Sequence, residues 1–134
     1  MPNDKPNYAF FNGEIVPFEQ ATVSVMTHAL NYGTAVFGGI RAYWNDDSDE
    51  LYIFRPEDHF KRVIQSANLL RIDVGHTPSE LTEILKQLLR HEAYRQNAYI
   101  RPLAYKAEET IKVRLHGLAD AFTIYCYPFG SYVA

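Results

Sequence analysis

The sequence predicts an α+β domain: an antiparallel sheet of about six strands with two main helices packed on one face. Three observations carry this. Six short runs of β-forming residues are set apart by turn signals. Two longer segments between the fourth and fifth runs place apolar residues at helical spacing. The 134-residue chain is 47% hydrophobic with 10 Tyr and 8 Phe, enough apolar volume for one core and too little for two.

The elements follow in order. Residues 1–7 are polar and read as a loose tail. Tyr8–Phe11 and Glu14–Pro17 flank Asn12-Gly13, the preferred two-residue hairpin turn. Thr27–Val36 is a short helical or irregular stretch. Phe37–Trp44 is extended and opened by Gly38-Gly39; the polar turn Asn45–Glu50 returns it to Leu51–Phe54 as a second hairpin. Pro56–Arg71 is a helix with proline in its first turn and an apolar face of Phe60, Val63, Ile64, Ala67 and Leu70. Thr77-Pro-Ser-Glu80 is a capping box that starts the next helix, whose stripe of Leu81, Ile84, Leu85, Leu88 and Leu89 runs to about Tyr94. Ala98–Tyr105 is a strand that Pro102 demotes to an edge or a bulge. Glu108–Leu118 is a mixed polar loop, and Ala121–Tyr127 is the last strand. The sequence stops four residues after Gly130 with no closing helix, which leads us to expect further polypeptide.

Composition excludes several classes. A net charge of −3 gives no sequence-independent attraction to nucleic acid or anionic lipid. No apolar run approaches a membrane span, and the polar N-terminus is no signal peptide. The single cysteine, Cys126, rules out an internal disulfide framework, fits a cytoplasmic location, and reads as a small buried hydrophobe in a strand. The five histidines (28, 59, 76, 91, 116) have no paired spacing on a helix face, so no metal site is expected. Neither a dinucleotide fingerprint, a P-loop nor a nucleophile elbow is present.

Three features can carry chemistry, each with an ordinary structural alternative. His28–Gly33 through Gly38-Gly39-Ile40-Arg41 combines small residues with Tyr32, Phe37 and Arg41. Its glycines permit close approach of a ligand, or merely form a strained turn. Arg62 lies beside the apolar stripe of its helix, either paired with Asp58 at i,i+4 or free to clamp a phosphate with its planar guanidinium. Tyr99 and Arg101, two apart on one strand, share a face. They suit a carboxylate, or that face is simply solvated.

Together these features resemble the N-terminal part of branched-chain amino acid aminotransferases, the fold-type-IV pyridoxal-phosphate enzymes. The opening is similar at Phe11-Asn-Gly-Glu-Ile-Val16. The signature resembles His28-Ala-Leu-Asn-Tyr-Gly-Thr-Ala-Val-Phe-Gly-Gly-Ile-Arg41. Phe54-Arg55, Arg62, Ala98-Tyr-Ile-Arg-Pro-Leu103 and Tyr127-Pro-Phe-Gly-Ser-Tyr132 then follow in order. The match runs over nearly the whole chain.

The resemblance implies the family's small domain for residues 1–134, with a second domain bearing the cofactor lysine absent from the chain. It implies that Arg62 holds the phosphate of pyridoxal 5'-phosphate. Tyr32, Phe37, Gly39, Arg41, Tyr99, Arg101, Val113, Phe129 and Tyr132 would bind substrate, with Tyr32 and Val113 reaching a neighbouring subunit's site. A homodimer or higher oligomer follows, with amino acids and 2-oxo acids as small-molecule partners. The implied reaction exchanges amino groups between branched-chain L-amino acids and 2-oxoglutarate. No catalytic residue is expected in this chain: its lysines (5, 61, 86, 106, 112) match no family position, so the chain alone is expected to be inactive. The alternatives are a D-amino acid transaminase or aminodeoxychorismate lyase of the same fold, or a non-catalytic binding module. Two departures stand out. The family usually has Glu where Gly38 stands, and often Trp where Phe129 stands. The first removes a carboxylate and relaxes the turn; the second keeps an aromatic wall without its N–H donor.

Overall fold

A computed structural model describes residues 5–129. In chain order its elements are β1 (Tyr8–Phe11), β2 (Glu14–Pro17), α1 (His28–Tyr32), β3 (Ala35–Phe37), β4 (Ile40–Asn45), β5 (Glu50–Ile53), α2 (Pro56–Leu69), α3 (Pro78–Glu92), β6 (Ala98–Lys106) and β7 (Asp120–Pro128). All strand pairs are antiparallel, in the order β2-β1-β7-β6-β4-β5, with β3 also on β6. This is the expected α+β architecture with seven strands in place of six.

The additional strand comes from a break. Phe37–Trp44 is not one strand: β3 pairs with Leu103–Tyr105, β4 pairs with Ala98–Ile100, and Gly38-Gly39 interrupts the ladder between them. The break answers the proline problem on β6. Pro102 sits in a central strand rather than at an edge, because its carbonyl accepts the Gly38 N–H at 3.0 Å and its missing N–H falls where β3 and β4 leave the ladder open. The expected tail is also shorter. Asn7 is pinned by Glu92, whose carboxylate accepts the Asn7 N–H at 3.0 Å, the Asn7 amide at 3.1 Å and the Tyr8 N–H at 2.9 Å.

Helix limits have local causes. Thr77 Oγ1 accepts the Glu80 N–H at 3.1 Å and Glu80 accepts the Thr77 N–H at 2.8 Å, closing the capping box of α3. Asn12 and Gly13 both have positive φ, 51° and 83°, as the tight hairpin turn requires.

Alternation along the strands divides the sheet into two faces. Ile40, Ala42, Ala98, Ile100, Ala104, Phe122, Ile124 and Cys126 point to the helices and meet Phe60, Val63, Ala67, Leu81, Leu85 and Leu88 in one core. Cys126 is buried and free, as expected. The residues between them, including Tyr99, Arg101, Tyr125 and Tyr127, point the other way, onto the face opposite α2 and α3. Among the described residues, no helix is long and apolar enough to cross a membrane.

Candidate functional site

The face opposite α2 and α3 is where most of the sequence-predicted residues meet. Register sets the rows: Arg41 lies opposite Tyr99, Tyr99 opposite Tyr127, and Phe37 opposite Leu103. Tyr99 is the centre. Its hydroxyl accepts hydrogen bonds from Arg101 Nη2 at 3.0 Å and Nε at 3.3 Å. That bond raises the already high pKa of the guanidinium. The Arg101 guanidinium carbon stands 4.2 Å from the Phe37 ring centroid, and that of Arg41 stands 4.8 Å from the Phe129 ring. Phe129 stacks on Tyr99 with centroids 6.3 Å apart, and the Tyr127 ring is tilted against Tyr99 at 5.5 Å. Thus Phe37, Arg41, Tyr99, Arg101 and Phe129 form one aromatic-walled group with two guanidiniums.

Gly39 completes the group by lacking a side chain. A Cβ there would sit 2.7 Å from the Tyr99 hydroxyl oxygen. The same reasoning applies to Gly38, where a Cβ would meet Val63 Cγ2 at 2.7 Å. Position 38 is therefore a close contact between the β3–β4 break and α2, and the turn is tight rather than relaxed.

Arg62 lies on α2 in a small cleft of about 120 Å³ shared with Phe37, Gly38, His59, Val63 and Ser66. Its ordinary alternative, a pair with Asp58, does not form: Asp58 is taken by Arg55 at 2.7 Å. Among the described residues, neither Arg41, Arg62 nor Arg101 has a carboxylate partner. The cleft lining supplies a guanidinium and a hydroxyl with no acidic group, donors that fit a phosphate, while the His59 ring gives its Nδ1 hydrogen to the Arg55 carbonyl at 2.8 Å. No lysine lines it. Lys106 is buried on the helix side, donating to Asp120 Oδ1 at 2.7 Å and to the Arg71 carbonyl at 2.6 Å.

Tyr32 and Val113 form a second group, joined to each other's surroundings rather than to Arg101. The Tyr32 hydroxyl donates to the Ile111 carbonyl at 2.6 Å, and Val113 stands exposed two residues further on. Tyr132 lies outside the described residues. Tyr127 is a member of the first group that sequence reasoning did not single out. The alternation of Tyr125 and Tyr127 along β7 was its signal, although only the β6–β7 register reveals that it touches Tyr99. Sequence reasoning also missed an apolar groove of about 450 Å³ on the same face, bordered by Phe11, Phe18, Val23, Leu30, Leu103 and Tyr125.

No protein-family profile matches the chain. The chain is similar to the probable branched-chain-amino-acid aminotransferase of Aquifex aeolicus, 41% identical over 127 residues, covering 95% of this chain and 41% of that protein. Among solved structures it resembles the branched-chain aminotransferase of the thermophilic archaeon Thermoproteus uzoniensis with norvaline (TM-score 0.88, 38% identity, 96% of this chain and 42% of that one). It also resembles the branched-chain amino acid aminotransferase of Thermobaculum terrenum in its PLP-bound holo-form (TM-score 0.84, 37% identity, 94% of this chain and 41% of that one). The chain thus spans about two fifths of the length of the relatives it matches. Over that span, in sequence and in fold alike, it is a homologue of the branched-chain-amino-acid aminotransferases.

Proposed function

We propose that residues 1–134 serve as the N-terminal small domain of a pyridoxal-phosphate-dependent transaminase. It would exchange amino groups between branched-chain L-amino acids and 2-oxoglutarate in the cytoplasm. The observation that carries this reading is the aromatic-walled pair Arg41 and Arg101, two cations that have no carboxylate partner among the described residues. Such a site meets two demands in turn. Phe37, Tyr99 and Phe129 offer apolar walls to a leucine-like side chain, and the guanidiniums with the Tyr99 hydroxyl accept the second carboxylate of a dicarboxylic acid.

Arg62 fits the cofactor's phosphate, with Ser66 and His59 at the same cleft. When bound, pyridoxal phosphate supplies the electron sink that makes the substrate's Cα–H labile. This chain's own part is to bind and orient. Arg62 anchors one end of the cofactor, while Arg101, held by Tyr99 and Phe37, sets where a substrate carboxylate lies. Tyr132 would add to the same wall. The lysine that holds the cofactor would come from polypeptide outside residues 1–134, so the chain alone is expected not to transaminate.

The exposed apolar residues Val25, Met26, Leu30, Ile111 and Val113, with Tyr32 beside them, support an assembly of two or more subunits in which Tyr32 and Val113 face a neighbour's pocket.

The test is an assay of the complete gene product with L-leucine and 2-oxoglutarate, repeated with Arg101→Met. We expect transamination by the parent. In the variant, kcat/KM for 2-oxoglutarate should fall at least a hundredfold and that for leucine by less than tenfold, as loss of a charge-assisted carboxylate contact predicts. Turnover of D-alanine without leucine would favour a D-amino acid transaminase of the same fold. No turnover of either would return the chain to a binding role.

A further inference from the structure

The loop between β6 and β7 owes its shape to groups outside itself. Its ends are clasped: the Ala107 N–H donates to the Ala119 carbonyl at 2.8 Å, and the Ala119 N–H to Glu108 Oε1 at 2.9 Å. Its tip is a three-residue turn centred on Val113, closed by the Arg114 N–H on the Lys112 carbonyl at 3.1 Å. Such a bond is weak alone, and the tip exposes Ile111 and Val113 (70% and 83%).

What holds the tip is α1. His28 is 2% exposed, and its Nε2 lies 2.8 Å from the Lys112 carbonyl oxygen. A carbonyl only accepts, so Nε2 carries the hydrogen, and the hydroxyl of Thr34, 2.8 Å from Nδ1, completes the ring's other side. The Tyr32 ring packs on the imidazole at 4.7 Å and its hydroxyl donates to the Ile111 carbonyl. The His28 N–H donates to the Glu108 carbonyl at 2.9 Å. Two residues one turn apart on α1 therefore engage the carbonyls of Glu108, Ile111 and Lys112.

We propose that His28 is a positioning residue: through the Lys112 carbonyl it fixes the Val113 turn, so that Tyr32, Ile111 and Val113 stand out as one preassembled apolar tip. The destination of that tip rests on the proposed function, in which it enters a neighbouring subunit's substrate pocket. His28 then contributes to affinity for a branched side chain without touching it, because a tip already ordered loses less entropy on docking.

Three variants of the chain test this: His28→Gln, His28→Asn and His28→Leu. The glutamine amide nitrogen reaches the place of Nε2; the asparagine amide reaches only that of Nδ1. Trypsin cuts after Lys112 and Arg114, both in the tip, and reports its order. Nicking at these bonds should be at least tenfold faster in His28→Leu and His28→Asn than in the parent, with His28→Gln close to the parent. Nitrogen-15 spectra of the parent should place the ring hydrogen on Nε2. Equal nicking of His28→Gln and His28→Asn, or a ring hydrogen on Nδ1 alone, overturns the proposal. Those two readouts decide it even if His28→Leu does not fold. In the complete enzyme, His28→Asn should raise KM for leucine about tenfold with kcat within twofold. Faster nicking with an unchanged KM would leave the clamp established and reject the pocket role of the tip.

Discussion

Gly39 and Tyr99 behave as one unit, since the space a Cβ would occupy at position 39 is already filled by the tyrosine's hydroxyl. Gly39→Ala must turn the Tyr99 ring, and with it goes the bond to Arg101. In the proposed transaminase this variant is expected to raise KM for 2-oxoglutarate about tenfold, the worth of one charge-assisted hydrogen bond. Steady-state kinetics check it. A substitution that left KM unchanged would mean that Arg101 needs no partner to meet a carboxylate. At this scale the sequence motifs named residues that the structure brings together, Tyr99 with Arg101 and Arg101 with Phe37, because alternation along a strand fixes which side chains share a face. The sequence was a poor guide to His28. Burial and a partner 84 positions away make that residue informative, and neither is written in local spacing.

Among the elements, helices announced themselves and one strand did not. Thr77-Pro-Ser-Glu80 carries its own capping chemistry, so α3 starts where the sequence says. β3 is three residues long and separated from β4 only by two glycines. What makes it a strand is the partner it finds in Leu103–Tyr105, and pairing across the chain leaves no local trace. The far end of β6 and β7 is fixed by another long-range contact. Lys106 and Asp120 are register partners, and their side chains form a largely buried ion pair, with Asp120 also accepting the Asp73 N–H at 2.8 Å. Removing one partner strands the other charge away from water. Asp120→Ala is therefore expected to lower unfolding free energy by about 3 kcal/mol, as for other broken buried pairs. Urea denaturation measures this, and a loss below about 1 kcal/mol would mean that water reaches Lys106 in the folded chain.

For the whole molecule, two tyrosines and the cysteine that folding buries also set its response to alkali. Burial raises the pKa of Tyr94, Tyr105 and Cys126, so all three stay protonated in the fold beyond the pH at which they ionise in an unfolded chain. Unfolded chains then release protons that folded ones retain, and stability falls as pH rises. It is fully present below the unfolded cysteine's ordinary value near 9 and declines above it. Urea midpoints at about pH 8 and about pH 10.5 should differ, the second being lower; equal midpoints would refute the burial of these groups. The order of the strands carries a different consequence. β1 pairs with β7, joining Ala9 to Tyr125 and Phe10 to Ile124 across almost the full length of the chain. A ribosome releases residues 8–17 long before their partner exists. The first hairpin must wait with one edge open while everything between is made, and the sheet closes, slowly, only after β7 has emerged. During that interval the nascent chain is at its most vulnerable to pairing with a neighbour, and a chaperone is most useful to it.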